Sequence, residues 1–141
     1  MIKLNKGLNL PIGGAPTQAI EDGRTIRSVA VLGNDYPGMK PTMAVREGDT
    51  VTKGQVLFSD KKNEGVLYTA PASGTVTAIN RGAKRALLSV VVEVSGDATE
   101  PSAQPVTREA LTELSREAIT EKLVTSGDWV ALRTRPFARV P

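Results

Sequence analysis

The chain has 141 residues, with 18 Lys and Arg against 15 Asp and Glu, and it contains neither Cys nor His. These absences exclude disulfides, thiolate nucleophiles, His general bases, and zinc or iron–sulfur sites ligated by Cys or His. The net charge of +3 comes from mixed charges spread along the chain, with no basic run interleaved with aromatic residues, so no nucleic-acid surface is predicted.

The proline and glycine pattern of the first 27 residues predicts that they form an extended arm. Pro11 and Pro16 exclude a helix across this segment, and Gly13-Gly14 indicates a turn. A phosphate-binding loop is not favoured, because no strand–loop–helix context follows. The first residues also lack the apolar core of a signal peptide, and no apolar stretch in the chain approaches the roughly 20 residues that a membrane-spanning helix needs.

Residues 28–96 predict a small all-β domain. Ser28–Leu32 is a short apolar run that is typical of a buried strand, and the segment from Gly33 to Pro41 is rich in turn residues. Further short apolar segments follow, with breaks at Glu47–Asp49, Lys53-Gly54, Asn63–Gly65, Ser73-Gly74 and Arg81-Gly82. This spacing predicts a closed or sandwiched β unit. Lys84 and Arg85 predict a basic, solvated hairpin.

The pattern changes after residue 96. Residues 97–106 are polar and contain two prolines, which predicts a linker. Apolar residues then recur at helical spacing from Thr107 to Thr125, with Thr107 and Ser115 as N-caps and Gly127 as the stop. Residues 107–141 are therefore interpreted as the helical start of a second, truncated α/β domain. Trp129 and Leu132 are expected to pack between the two domains.

Two matching strand–turn–strand segments, Val45–Leu57 and Ala70–Ile79, place glycines at their corners. Over roughly residues 40–95 they resemble the biotinyl/lipoyl family of barrel-sandwich domains, which implies a mainly β, barrel-sandwich hybrid fold. In carrier members of that family a modified Lys between two Met lies at the hairpin tip. The equivalent position here is Asn63, preceded by Lys61 and Lys62 and without a Met, and a carrier domain is kept as an alternative function.

A larger set of segments, spread from Lys3 to Pro141, resembles the family of A subunits of the bacterial Na+-translocating NADH:quinone oxidoreductase. The segments are Lys6–Pro16, Met39–Met43, Val45–Asp49, Gly54–Phe58, Asp60–Asn63, Ala70–Val76, Ile79–Arg85 and Ala131–Phe137. A second alternative is a related electron-transport protein that binds flavin and NADH through a later domain, and clustered Cys residues downstream would favour it.

The resemblance implies a role in an enzyme complex that passes electrons from NADH to ubiquinone and exports Na+. The NADH, flavins and iron–sulfur centre are expected in partner subunits, and no covalent cofactor, metal or catalytic residue is expected in this chain. Members of the family are peripheral, on the cytoplasmic side of the bacterial inner membrane, and contact the membrane through their partners. Ubiquinone is the expected substrate, and the chain alone is not expected to be catalytic.

Two segments are candidates for quinone contact by this resemblance. Their residues are Leu32, Gly33, Asn34, Asp35, Tyr36, Pro37, Gly38 and Met39 in the first, and Arg135 and Phe137 in the second. Tyr36, Met39 and Phe137 offer apolar surface, whereas Asn34, Arg133 and Arg135 are able to donate to a quinone carbonyl. The alternatives are that Tyr36 is an aromatic residue of a turn, that Phe137 anchors a linker, and that Arg133, Arg135 and Arg139 meet an acidic partner or anionic lipid.

Overall fold

A computed structural model describes residues 13–95 and 106–141. These residues form seven strands, β1 (Ser28–Leu32), β2 (Pro41–Met43), β3 (Thr50–Val51), β4 (Val56–Asp60), β5 (Leu67–Thr69), β6 (Gly74–Arg81) and β7 (Leu87–Val94). Two α-helices follow, α1 (Arg108–Glu113) and α2 (Arg116–Ser126). Short 3₁₀ turns lie at Gly33–Asp35, Ala83–Arg85 and Asp128–Ala131.

The strands form two antiparallel sheets around one core. The first sheet has the order β1-β7-β6-β3 and the second the order β2-β4-β5. Both sheets contribute to the same buried cluster, which consists of Val45, Val51, Leu57, Phe58, Val66, Tyr68, Ala70, Val76, Leu87, Val90, Val92 and Val140. The predicted barrel-sandwich class is therefore confirmed. Strand β1 has the predicted bounds, but it is an edge strand whose residues alternate between exposed and half-buried, so the expectation of a buried strand is wrong.

Strand β4 departs from simple alternation because it contains an irregularity. The pairing with β5 shifts register between Val56 and Phe58, and the two consecutive residues Leu57 and Phe58 are both fully buried. An extra residue in one strand of a pair allows this, since it re-aims a side chain that would otherwise face solvent. The bulge thus sends two large side chains from one short strand into the core.

The helix ends agree with the sequence. Thr107 Oγ1 accepts a hydrogen bond from Ala110 N–H at 3.3 Å, and Ser115 Oγ accepts one from Ala118 N–H at 3.2 Å. Gly127 ends α2 in the left-handed conformation with φ of 82°. A side chain there would also overlap Thr69, so the end of α2 lies directly against β5. The two predicted N-caps and the predicted stop are confirmed.

The domain boundaries stay predictions. Residues 13–27 of the predicted arm contain no helix or strand and are exposed, and residues 1–12 lie outside the described residues. The predicted linker lies outside them too, except for residue 106. Trp129 packs against the β core, whereas Leu132 is 45% exposed, and the expectation that both pack between two domains stays a prediction. Leu132 follows the 3₁₀ turn that contains Trp129, and its side chain remains open to solvent.

At Gly74 the backbone at the start of β6 lies close to the backbone at the end of β7. A Cβ at Gly74 would overlap the carbonyl oxygen of Glu93 and lie 3.1 Å from the backbone nitrogen of Ser95. Because backbone atoms cannot yield as a flexible side chain does, we expect Gly74→Ala to lower the free energy of unfolding by about 3 kcal/mol. Urea denaturation measures this. Gly23→Ala is the control, since nothing lies within 4 Å of its added Cβ, and equal stability of the two variants would contradict the packing.

Candidate functional site

The segment Gly33–Lys40 follows β1 and is fixed at both ends. At its start Gly33 is buried against β7, where any Cβ would overlap the carbonyl oxygen of Leu87. At its end the carboxylate of Asp60, which is only 5% exposed, accepts hydrogen bonds from Lys40 N–H at 3.0 Å and Lys62 N–H at 2.9 Å. Asp60 therefore ties this segment to the hairpin between β4 and β5.

Aromatic side chains support the middle of the segment. The ring of Tyr36 meets that of Tyr68 edge to face, with centroids 4.6 Å apart, and Tyr68 in turn stacks on Phe58 at 4.6 Å. The guanidinium of Arg133 lies 4.9 Å from the centroid of the Tyr36 ring. A cation at this distance from an aromatic face is attracted to it. The position of Tyr36 thus depends on the core below it and on a residue near the end of the chain.

Residues 128–141, which we call the C-terminal strap, return to the β domain. Val140 is 7% exposed and belongs to the core, and its carbonyl oxygen accepts a hydrogen bond from Asn63 Nδ2 at 3.2 Å. Trp129 Nε1 donates to the carbonyl oxygen of Pro141 at 3.0 Å. The side chain of Arg139 lies over Gly38. The strap therefore contacts both the hairpin tip and the segment Gly33–Lys40.

Two cavities border this segment. A small one of about 90 Å³ lies among the segment, the hairpin and the strap, and its lining includes Met39, Asp60, Tyr68, Arg139 and Val140. A larger groove of about 680 Å³ borders the same segment, and we call it the basic groove. Its lining consists of Gly33, Asn34, Tyr36, Pro37, Gly38, Met39, Lys40, Pro41, Met43, Arg81, Lys84, Arg85, Ala86 and Leu87.

The predicted quinone-contact residues divide into three groups. Tyr36, Pro37, Gly38 and Met39 line both cavities, and Gly33 and Asn34 line only the basic groove. Leu32, Asp35, Arg135 and Phe137 line neither of the two.

The strap meets the first segment through Arg133 and Arg139 rather than through Arg135 and Phe137. Phe137 is 69% exposed, with the guanidinium of Arg139 5.8 Å from its ring centroid, and Arg135 is exposed as well. Arg133 and Arg139 make the contacts instead, and Arg133 Nη2 lies 3.5 Å from the carbonyl oxygen of Asp35. The two predicted segments are neighbours, but Arg135 and Phe137 do not join them.

The sequence did not connect Asp60, Tyr68 or the turn at Ala83–Arg85 with this site. One local signal was available for Asp60, which ends an apolar strand and accepts the N–H two residues later. That arrangement is an Asx turn, which Asp favours. Tyr68 carries no comparable signal, because it lies in a regular buried strand. The basic turn was visible, but its position beside Met39 and Met43 is a tertiary contact.

Burial raises the pKa of Tyr68 from 10.0 to about 12, and the charge of Asp60 acts in the same direction, while Arg133 opposes it. Tyr68 therefore remains a neutral phenol below the small cavity at every physiological pH.

Within residues 13–95 and 106–141, no group of three or more His, Cys, Asp or Glu side chains is arranged to hold a metal ion. No helix in the same two ranges is long and apolar enough to cross a membrane.

Two antiparallel sheets that share one core, with glycine corners and a β4–β5 hairpin, define a barrel-sandwich hybrid domain. The chain belongs to the family described as the NqrA N-terminal barrel-sandwich hybrid domain, whose model matches residues 2–95.

Curated relatives match over the whole chain. It is 60% identical over 141 residues to the A subunit of the Na(+)-translocating NADH-quinone reductase of Alcanivorax borkumensis, and 58% identical to that of Pasteurella multocida. The identity to the protein of the same name from Hahella chejuensis is 57%. All of this chain is covered in each comparison, but only 31–32% of each relative, so the chain spans about a third of their length.

The titration of Tyr68 tests its environment. The chain has two tyrosines, so Tyr36→Phe leaves Tyr68 as the only one. We expect its near-ultraviolet phenolate absorbance to appear with a midpoint clearly above the ordinary value of 10.0, because burial and the charge of Asp60 still raise the pKa of Tyr68 after the contribution of Tyr36 is removed. Because the folded pKa is raised, the contribution of Tyr68 to folding is complete below pH 10 and is lost as the pH rises through about 12. Circular dichroism monitors the fold, urea-unfolded protein is the control, and a midpoint at the ordinary value in folded protein would refute the assignment.

Proposed function

We propose that this chain is the N-terminal part of the A subunit of a Na+-translocating NADH:quinone reductase and that it contributes to ubiquinone binding and subunit docking. The identity to proteins of that name over the full length of the chain supports the assignment. In this role the chain is a peripheral component on the cytoplasmic side of the inner membrane. NADH, flavins and the iron–sulfur centre belong to partner subunits, and those partners provide the contact with the membrane.

The basic groove is the best candidate for quinone contact. Its volume of about 680 Å³ lies in the range of small-molecule sites, whereas the cavity of about 90 Å³ has room for only a few water molecules. Six of the ten predicted contact residues line the groove. The size of the groove, together with its coincidence with the predicted segment, is the observation that carries the proposal.

The groove offers suitable groups for binding a quinone ring. Tyr36, Met39 and Met43 supply aromatic and apolar surface, and the amide of Asn34 is able to donate to a ring carbonyl. In this proposal the chain binds and orients the ring, while electrons come from partner subunits. The strap supports this surface indirectly, because Arg133 packs on Tyr36.

The hairpin tip argues against the carrier alternative. A swinging-arm carrier needs an exposed lysine at the tip, free to extend toward distant active sites. The equivalent residue Asn63 is partly buried, and its side-chain amide is bonded to the carbonyl oxygen of Val140. Lys61 and Lys62 are exposed, but the backbone of Lys62 is held by Asp60. The hairpin tip therefore binds the C-terminal strap of the same chain.

Photolabelling with a reactive ubiquinone analogue tests the quinone proposal on the assembled reductase that contains this chain. We expect adducts on the peptide that spans Gly33–Met43, and we expect excess ubiquinone to suppress them. Asn34→Ala removes one hydrogen-bond donor of the groove and should reduce labelling about fivefold, equivalent to the loss of about 1 kcal/mol.

The control variant is Gln18→Ala, which removes an exposed amide from the arm, and it should label as the unchanged protein does. Adducts confined to other parts of the complex, with none on Gly33–Met43, would exclude the groove from quinone contact.

A further inference from the structure

The charged side chains that line the basic groove are all positive. Four cationic side chains contribute to the lining, those of Lys40, Arg81, Lys84 and Arg85, and it contains no Asp or Glu. None of these four side chains forms an ion pair within the part of the chain that the structure describes. Cations gathered around a concave surface raise the local concentration of anions, because the low-dielectric walls focus the field.

The turn that carries three of these cations is tightly closed. Gly82 N–H donates to Ala86 O at 2.8 Å, and Arg81 Nη1 donates to Arg85 O at 3.2 Å. Lys84 and Arg85 have φ values of 55° and 62°, a left-handed conformation that residues with a side chain rarely adopt. Two consecutive residues held in this region indicate a turn whose shape is imposed by its surroundings, and such turns concentrate at ligand sites.

Apart from Asn34, the rest of the groove lining is mainly apolar. Met39, Pro41 and Met43 line it beside the cations, together with Tyr36 and the largely buried Leu87. A free inorganic anion would leave this apolar surface uncovered, and a neutral ring would gain less from the positive charges than an anionic one. The complementary ligand therefore has a flat apolar body and a negative charge.

We propose that the basic groove selects the anionic form of a quinonoid ligand over a neutral ring of the same shape. This inference rests on the proposed quinone contact and specifies its chemistry. An ionised hydroxyquinone places its negative oxygen toward Arg81, Lys84 and Arg85, and its ring covers the methionines. Because the cations are exposed to solvent, the preference decreases as salt screens the charges.

Methionine methyl NMR of the chain tests the proposal, because Met39 and Met43 both line the groove. The probes are lawsone, a hydroxynaphthoquinone that is an anion at neutral pH, and its neutral methyl ether. We expect both to shift the Met39 and Met43 signals, which the variants Met39→Leu and Met43→Leu assign. Lawsone should bind about tenfold more tightly at low salt.

Lys84→Gln and Arg85→Gln together should remove most of that tenfold preference, and they should lower the affinity for lawsone far more than the affinity for the methyl ether. Lys122→Gln is the matched control, since this exposed lysine of α2 lies outside the groove, and it should keep the full preference. Half-molar sodium chloride should reduce the preference in the unchanged chain but not in the double variant.

The remaining outcomes separate the two proposals. Equal affinities for lawsone and its methyl ether, with Met39 and Met43 shifting, would overturn the charge selection and leave the quinone contact standing. Displacement of lawsone by sulfate at equal concentration would also overturn it, because the groove would then be a general anion site. If neither probe moved Met39 or Met43, both the quinone contact at this groove and the inference drawn from it would fail.

Discussion

The packing of the C-terminal strap on the β4–β5 hairpin is the contact on which the site depends. Val140 is inserted into the core and bonded to Asn63, which returns the strap to the face that carries Tyr36. Arg133 then lies over the Tyr36 ring and Arg139 over Gly38. In a carrier domain the corresponding hairpin tip must stay free, whereas here it holds another part of the same chain. The hairpin tip thus holds the C-terminal strap of its own chain.

The two sides of the segment Gly33–Lys40 have different roles. Toward the hairpin and strap it is packed against Tyr68, which burial and Asp60 keep neutral, and the cavity there is small. On the side of the turn Ala83–Arg85 the groove is large, open and positively charged. Because Gly33 and Asp60 fix both ends of the segment, a ligand in the groove meets a surface that is already formed. Such preorganisation lowers the cost of binding.

The sequence predicted the features that depend on residues close together in the chain, and it missed those that depend on tertiary contacts. Thr107, Ser115 and Gly127 mark the helix ends because capping depends on a few adjacent residues. The glycine corners likewise predicted the β domain, and the resemblance selected the segment that lines the groove. Asn63 and Val140, however, are 77 residues apart, and no periodicity indicates that they meet. In the strap the resemblance selected Arg135 and Phe137 for quinone contact, and both are exposed, whereas Arg133 and Arg139 contact the segment Gly33–Lys40.

The docking of the strap is tested most directly by the fluorescence of Trp129, the only tryptophan of the chain. Val140→Asp places a carboxylate in the apolar core, and we expect it to release the strap, so that acrylamide quenches Trp129 more strongly while circular dichroism still reports the β sheets. Val106→Asp makes the same change at a position that is 37% exposed and should leave the quenching unaltered. Identical quenching of Trp129 in the two variants would show that Val140 does not hold the strap on the hairpin.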